Sequence, residues 1–295
     1  MKIHHSNDPQ EIVYMLDEGY EPIECSIGGR SIVGDLEMDH HGDLSHLTGV
    51  AIRAYENYGA RKDDPSFVVT GAADADATFA IAALAGLLPH PSNADLIEGK
   101  PWLAGLDADL SELAVLINLV DTAPIGVRLE EKGDDGAKLL LFNQTSSSSQ
   151  DAMSFYSGVD RWRWLTKSPS EALLRAALDA EAERVAAARN VEKIAHAGKN
   201  VAVIKSPVWG FDVWYSEFAP IIVALAPNGN ITLGVSDKET AEQYLGEGGL
   251  KNIFPQLAPE GWGGREAIGG SPRGMKMSWE DALAAAEVVV AAIKQ

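Results

Sequence analysis

The stretch GDLEMDHHGDLSH, residues 34–46, concentrates four acidic side chains and three histidines in one short segment. The apolar positions Ile32, Val33, Leu36 and Met38 predict a strand that Asp39 follows, and a helical pattern comes next over residues 47–58. The sequence DHH is therefore expected at the carboxyl end of a strand. Carboxylate oxygen and imidazole nitrogen together suit Mn²⁺, Zn²⁺ or Fe²⁺, whereas an all-oxygen set suits Mg²⁺ or Ca²⁺. A solvated acidic turn is the alternative interpretation, because polar loops accumulate Asp and His.

The composition is that of a globular protein with a strong acidic excess. The chain has 295 residues, enough for two domains or one large one, with 46% hydrophobic and 23% charged residues. Its net charge of −19 comes from 24 basic and 43 acidic residues. Such a charge disfavours binding along a nucleic-acid backbone, so long duplex DNA is not an expected partner.

Cysteine content and the amino terminus indicate the compartment. The single cysteine, Cys25, excludes an intrachain disulfide and is compatible with a reducing cytoplasm. The first residues, MKIHHSNDPQ, contain no apolar signal core, and no run approaches the roughly 20 apolar residues that cross a bilayer. We therefore expect a soluble cytoplasmic protein without a membrane segment.

Acidic residues also follow two other predicted strands. Residues 66–70 form a compact β-branched run that Asp74 and Asp76 follow, and residues 113–120 predict a strand that ends at Asp121. Ligands of parallel sheets bind beyond the carboxyl ends of the strands. We therefore expect one cluster built from the acidic residues at these ends: Asp39, Asp74, Asp76 and Asp121.

Strands alternating with helices predict an α/β fold with a mostly parallel sheet in the catalytic domain, residues 1–165. A capping-box pattern at residues 168–171 opens a predicted linker helix over residues 166–198, and residues 199–295 form a smaller α+β domain. In that domain we predict four strands, at residues 201–205, 212–216, 219–226 and 231–235. Residues 227–230 are predicted to form a hairpin turn, and residues 278–293 the last helix.

Cations alternate with aromatic residues at 161–164, in the sequence RWRW. Such a pattern can stack on bases, but it more often packs against other parts of the protein. We favour packing for Trp162 and Trp164, because tryptophan is usually largely buried.

The segment GWGGREAIGGSPRG, residues 261–274, is rich in glycine and contains two arginines. Backbone N–H groups can approach an anion closely where no Cβ intervenes, and guanidinium groups bind phosphate through two hydrogen bonds. The predicted substrate-binding residues are Gly269, Gly270, Ser271, Arg265 and Arg273. A plain surface turn is the commoner explanation of such a segment.

The acidic residues of the other domain predict metal chemistry. Asp74 and Asp76 cannot both stay ionised side by side without a counter-charge, which a metal ion supplies. With Asp121 and a histidine of the DHH sequence, the ligands suffice for one metal, or for two that share a carboxylate. Two such metals activate water and stabilise the charge of a phosphoryl group, so phosphoester hydrolysis is the expected reaction.

Together these motifs resemble the DHH phosphoesterase superfamily. The resemblance rests on Asp39-His40-His41, on Asp74 and Asp76 after a strand, on Asp121, and on the carboxyl-terminal glycine and arginine segment. It implies a hydrolase with a Mn²⁺ pair, in which His40 is a metal ligand together with Asp74, Asp76 and Asp121. It also implies that His41 and Asp39 are the catalytic residues, with His41 facing the phosphate of a small phosphorylated substrate or a short single-stranded oligonucleotide.

The chain departs from that family at two points. The family usually has a histidine at the position of Gly71, and its D-x-D normally precedes the DHH sequence. His4 or His5 could stand in for the missing imidazole, and Asp35 is a candidate for the remaining carboxylate. Otherwise one metal site is weakened, or the chain is a non-catalytic nucleotide- or phosphate-binding protein on the same fold. Mg²⁺, Zn²⁺ and Fe²⁺ are alternative ions to Mn²⁺ in any of these cases. The sequence does not define the oligomeric state and is compatible with a homodimer.

Overall fold

The structure, a computed structural model, has a mixed α/β fold, which confirms the predicted fold class. It describes residues 1–27, 30–41, 44, 47–58, 64–91, 109–122, 127–146, 149–167, 169–272 and 274–293. The chain divides into two compact units: unit 1 consists of Met1–Pro124 and Leu129–Leu178, and unit 2 consists of Ile125–Arg128 and Asp179–Gln295. Among the described helices, none combines the length and the apolar character that a membrane span needs.

Unit 1 contains a parallel three-stranded sheet of order β1-β5-β2 and a separate antiparallel pair, β3 and β4. The strands are β1 Lys2–His5, β2 Glu21–Ile23, β3 Cys25–Ile27, β4 Arg30–Ile32 and β5 Ser66–Val69. The central strand β5 buries Phe67, Val68 and Val69 completely, as a parallel strand covered on both faces should.

The described part of unit 1 has six helices, and a seventh helix crosses the division between the units. They are α1 Pro9–Asp17, α2 Val50–Arg53, α3 Ala75–Leu84, α4 Ser111–Thr122, α5 Gly133–Thr145, α6 Ala152–Leu165 and α7 Glu171–Arg189. Of these, α1, α3 and α6 pack on the parallel sheet. A π-helical segment, Ala54–Tyr58, continues α2, and a short 3₁₀ helix covers Leu129–Glu131.

Helix α3 lies at the centre of unit 1, and residues 76–84 are all buried. The indole Nε1 of Trp162, on α6, donates a hydrogen bond to Thr78 Oγ1 at 3.1 Å. The same ring stacks on Phe142 of α5 at 4.4 Å between centroids. The packing role predicted for Trp162 is thus confirmed, whereas Trp164 is exposed on the same helix.

Two strand predictions that concern the site are wrong. The strand before the DHH sequence ends at Ile32, and residues 34–37 form a turn with positive φ at Gly34 and Glu37. Residues 113–120 lie in helix α4, because a short apolar run fits a buried helix as well as a strand. Asp39 therefore follows a turn, and Asp121 lies in the last turn of a helix.

Unit 2 contains a mixed six-stranded sheet of order β10-β11-β9-β8-β7-β6. Its strands are β6 Lys193–Ala197, β7 Val201–Lys205, β8 Ile221–Leu225, β9 Ile231–Val235, β10 Gly263–Gly264 and β11 Ile268–Gly270. Its helices are α8 Phe211–Glu217, α9 Lys238–Leu245 and α10 Trp279–Ala292, with 3₁₀ turns at Gly249–Asn252 and Phe254–Gln256. Strands β7 and β8 are parallel, and the other pairs are antiparallel.

Most elements predicted for unit 2 are confirmed, including three strands, the hairpin turn and the last helix. The predicted strand 212–216 is instead helix α8, because two parallel strands cannot be joined by a tight turn and need a crossover. The predicted linker helix ends at Arg189, and residues 193–197 form strand β6.

Candidate metal centre

Five side chains of unit 1 form what we term the histidine-carboxylate cluster: Glu24, His40, His41, Asp76 and Asp121. Glu24 lies between β2 and β3, and the two histidines follow the turn at 34–37. Asp76 lies in the first turn of α3, and Asp121 in the last turn of α4. The cluster is therefore assembled from four segments that are distant in sequence.

The ring nitrogen Nε2 of His40 is the point where the carboxylates converge. It lies 3.0 Å from Glu24 Oε1, 2.9 Å from Asp121 Oδ2 and 3.6 Å from Asp76 Oδ2. One imidazole N–H cannot satisfy three carboxylates. Ligand atoms at about 2.1 Å from a metal ion are roughly 3.0–3.4 Å from one another, which is close to the observed spacing.

Two overlapping groups in the cluster could hold a metal ion. One consists of His40, Asp76 and Asp121, and the other of Glu24, His40 and His41. In each group the donor atoms lie within 4.8 Å of one another. His40 belongs to both groups and, like Asp76, is buried, so it is the residue on which the whole arrangement depends.

Backbone amides at the start of α2 fix the carboxylate of Asp76. Val50 N donates to Asp76 Oδ2 at 2.7 Å, and Ala51 N donates to Asp76 Oδ1 at 2.9 Å. A Cβ built at Gly49 would lie only 2.8 and 2.9 Å from these two oxygens. Glycine is thus needed at position 49, whose own N–H donates to Asn118 Oδ1 on α4. The N-terminal end of α2 acts as an anion site for a side chain of the protein itself.

Asp39 is fully buried and orients His41. Its Oδ1 accepts a hydrogen bond from His41 N at 2.9 Å and lies 3.1 Å from the ring nitrogen Nδ1. Burial acts to raise the pKa of Asp39, but the hydrogen bonds from His41 outweigh it and hold the pKa below its ordinary value. Arg53 donates to the backbone oxygens of Asp39 and Glu37, and Ser31 Oγ donates to His41 O.

Burial and crowded negative charge raise the pKa of three further carboxyl groups, those of Glu24, Asp74 and Asp76. Burial, followed by the charges of Asp74 and Asp76, raises the pKa of Glu24 well above its ordinary value. Burial and then Asp121 raise the pKa of Asp76. Asp74 is exposed at the surface. Desolvation, followed by the charges of Asp76 and Asp121, nevertheless raises its pKa to about 7, and a hydrogen bond from a backbone amide acts to lower it.

The pKa of His40 is also raised. Burial acts to lower it, but the hydrogen bond to Asp121 and the surrounding carboxylates outweigh that effect. A divalent cation at Nε2 would neutralise the same carboxylates without a proton. The donor set therefore fits a metal ion both in geometry and in charge.

Four residues predicted as metal ligands lie outside both donor groups, as far as the described residues extend. His4 Nε2 contacts a glutamate of α1, and His5 Nε2 hydrogen-bonds to the carbonyl oxygen of Gly71. Asp35 is exposed in the turn at residues 34–37. Asp74 caps α3 by accepting a hydrogen bond from a backbone amide, and it acts on the cluster through its charge.

The predicted phosphate cradle lies in unit 2, where part of it belongs to a paired strand. Gly269 and Gly270 form the end of β11, between β10 and β9. A Cβ at Gly269 would lie 2.2 Å from the Phe254 ring, so packing explains that glycine. Ser271 Oγ accepts a hydrogen bond from a β9 amide, and Arg265 is exposed in the turn between β10 and β11. Arg273 lies outside the described residues.

The sequence reasoning missed Glu24. Its carboxylate is buried against His40, and its backbone has a φ of 49° where the chain leaves one sheet for another. The available signal was an acidic residue between the apolar residues Ile23 and Cys25, directly after strand β2.

The chain matches no family model, and comparison with curated proteins finds no match either. The resemblance to DHH phosphoesterases therefore rests on the motifs of the sequence alone.

Proposed function

We propose that the chain is a Mn²⁺-dependent phosphoesterase that hydrolyses a small or short-chain phosphate ester, such as a nucleotide or a short oligonucleotide. The observation that carries this proposal is the convergence of Glu24, Asp76 and Asp121 on the Nε2 atom of His40. The pair of Asp39 and His41 next to it supports the same reaction.

Four residues would hold the ion: Glu24, His40, Asp76 and Asp121. One imidazole nitrogen with carboxylate oxygens suits Mn²⁺, and Zn²⁺, Fe²⁺ and Mg²⁺ are the competing ions. Because both donor groups share His40, we expect one principal ion per chain. When bound, such an ion supplies Lewis-acid stabilisation of the charge that develops on a phosphoryl group.

His41 would exchange a proton with the substrate. The contact of Nδ1 with the Asp39 carboxylate favours a proton on Nδ1, which leaves Nε2 free to accept or deliver one. The His41 side chain is partly exposed, so a ligand can reach it, whereas Asp39 is shielded from water. Asp39 therefore acts as a positioning residue.

A non-catalytic nucleotide- or phosphate-binding protein is the second candidate. Asp76 favours it, because both of its oxygens already accept backbone hydrogen bonds from Val50 and Ala51, as expected of a structural anchor. In that case the ion would stabilise unit 1 without taking part in hydrolysis.

The two candidates are separated by an assay of the metal-stripped full-length protein. We expect Mn²⁺ to restore hydrolysis of at least one member of a panel of phosphomonoesters, dinucleotides and short oligonucleotides. Asp121→Asn should abolish that activity, and Asp35→Asn, an exposed aspartate outside the cluster, should retain it. Stoichiometric metal binding without turnover of any substrate in the panel would favour the binding protein.

A further inference from the structure

Unit 2 contains two cavities that share Thr232 as a lining residue. The first has a volume of about 100 Å³ and an apolar lining that includes Trp209, Phe211 and Trp214. Pockets that enclose a drug-sized ligand measure roughly 300 Å³ or more. The first cavity can therefore admit a single flat ring system but not a whole nucleotide.

This aromatic cavity lies beyond the carboxyl ends of two parallel strands. Residues 206–209 follow β7 directly, and residues 225–227 mark the end of β8. Helix α8 makes the crossover between these strands. Ligands of open α/β sheets bind outside the carboxyl ends of the strands, so this cavity lies at a position typical of binding sites.

Trp209 is the exposed aromatic residue of the lining. Its side chain is 53% exposed, although its ring lies 4.6 Å from that of Phe211. The backbone of Trp209 is held in place because Arg184 donates to its carbonyl oxygen at 2.8 Å and also binds Asp212. An exposed indole on a fixed backbone, beside an apolar cavity, is well suited to stack on a flat ring.

The second cavity is polar, with a volume of about 200 Å³. Asn230, Thr232 and Ser271 supply amide and hydroxyl groups to it. Within the described residues, the side chains of Asn230 and Thr232 have no hydrogen-bond partner in the protein. They can therefore bind the polar part of a ligand whose ring lies in the aromatic cavity.

We infer that these two cavities bind a nucleoside or nucleotide, with the base against Trp209 and the polar remainder at Asn230 and Thr232. Every nucleobase has a flat π-face and stacks on an aromatic side chain, whereas its edge and sugar need hydrogen bonds. A purely apolar ligand would gain nothing from the polar cavity. Because Gly270 and Ser271 of the predicted substrate-binding segment line the polar cavity, the inference rests on the proposed function and adds a binding site for the base. Its test uses no metal, so its outcome is separate from that of the hydrolysis assay.

The test is calorimetric titration of the full-length protein, without added metal, with adenosine and with adenosine 5′-monophosphate. We expect saturable binding of both, and no binding of ribose 5-phosphate, which lacks a base. Trp209→Ala should weaken adenosine binding by about tenfold or more, as loss of one stacking partner does, and Trp209→Phe should retain part of it. Thr232→Val should weaken binding while preserving side-chain volume.

Trp164→Ala is the matched control, because Trp164 is another exposed tryptophan, on α6 of unit 1. It should bind adenosine like the wild type, and unchanged thermal melting of the Trp209 variants would establish that they fold. Three results would each overturn the inference: adenosine binding unaffected by Trp209→Ala, equal loss in Trp164→Ala, or indole binding as tightly as adenosine.

Discussion

His40 Nε2 lies 2.9 Å from Asp121 Oδ2, although one residue follows a turn and the other ends helix α4. The carboxylate of Glu24 approaches the same nitrogen at 3.0 Å. With Asp76 of α3 at 3.6 Å, this nitrogen is the meeting point of four separate segments of unit 1. Substitutions at this meeting point are therefore expected to change both the affinity for an ion and the stability of unit 1.

Asp121→Asn should lower the affinity for Mn²⁺ at least tenfold, because it removes one charged ligand while keeping the shape of the side chain. Calorimetric titration and metal analysis of the purified protein would measure this. Asp35→Asn is the control, since Asp35 is exposed and lies outside both donor groups. Equal affinities in the two variants would contradict the ligand assignment.

Gly49→Ala should disturb the metal centre without changing any ligand. The new Cβ would lie under 3 Å from the Asp76 carboxylate, which must then leave the amides of Val50 and Ala51. We expect a loss of about 1–3 kcal/mol in the free energy of unfolding and weaker Mn²⁺ binding. Denaturant unfolding and calorimetry measure the two effects.

Gly263→Ala is the matched control for this substitution, because a Cβ there meets no atom within 4 Å and φ is not positive. It should leave ion binding unchanged. If Gly49→Ala bound Mn²⁺ as tightly as the wild type, the fixed position of Asp76 would be irrelevant to the site.

The metal-free protein should become less stable as the pH rises from about 5 to 8. The pKa values of Glu24, Asp74 and Asp76 are raised above those of an unfolded chain, so the folded state binds more protons in this window. The raised pKa of His40 acts in the same direction, because its stabilising charge is lost as the pH rises. Surface carboxyl groups with lowered pKa values act mainly below about pH 4.

Thermal melting across this pH range, in EDTA and in saturating Mn²⁺, would measure the effect. The ion takes over neutralisation of the carboxylates, so its stabilising effect should be largest at pH 8. A metal-free protein whose stability increased from pH 5 to 8 would refute the charge balance described for the cluster.

Asp39→Asn should slow hydrolysis by about a hundredfold or more while leaving bound Mn²⁺ in place, because it removes the charge that orients His41. The pH dependence of kcat/KM should change as well, which a purely structural defect would not cause. His4→Gln is the control, since His4 contacts Glu11 instead of the cluster. Loss of metal from Asp39→Asn would assign Asp39 to the ion and not to His41.

Sequence patterns predicted those elements that local chemistry specifies. Strands 201–205 and 231–235 are β-branched runs, and the turn PNGN at 227–230 favours a hairpin. The apolar run at 113–120 was ambiguous, because a buried helix and a buried strand look alike over eight residues. Helix α8 became helical because of the sheet topology, which no local pattern reports.

The site was predictable to the extent that its residues stand out in the sequence. His40, Asp76 and Asp121 were predicted as ligands, and the structure brings them together, although Asp121 reaches the site from a helix. Glu24 depends on a break between β2 and β3 that its own neighbours do not signal. The hydrogen bond of His5 to the carbonyl oxygen of Gly71 was also unpredictable, because it requires the pairing of β1 with β5.

The backbone conformation of Glu24 destabilises the folded state. Its left-handed backbone, with φ of 49°, is one that glycine adopts freely and that other residues adopt at a cost of roughly 1–2 kcal/mol. A sequence selected for stability alone would have glycine at this position and no buried carboxylate. Glu24→Gly should therefore raise the melting temperature of the metal-free protein while weakening ion binding. The residue would then be one at which stability has been sacrificed for a ligand, as happens at binding sites and not in cores.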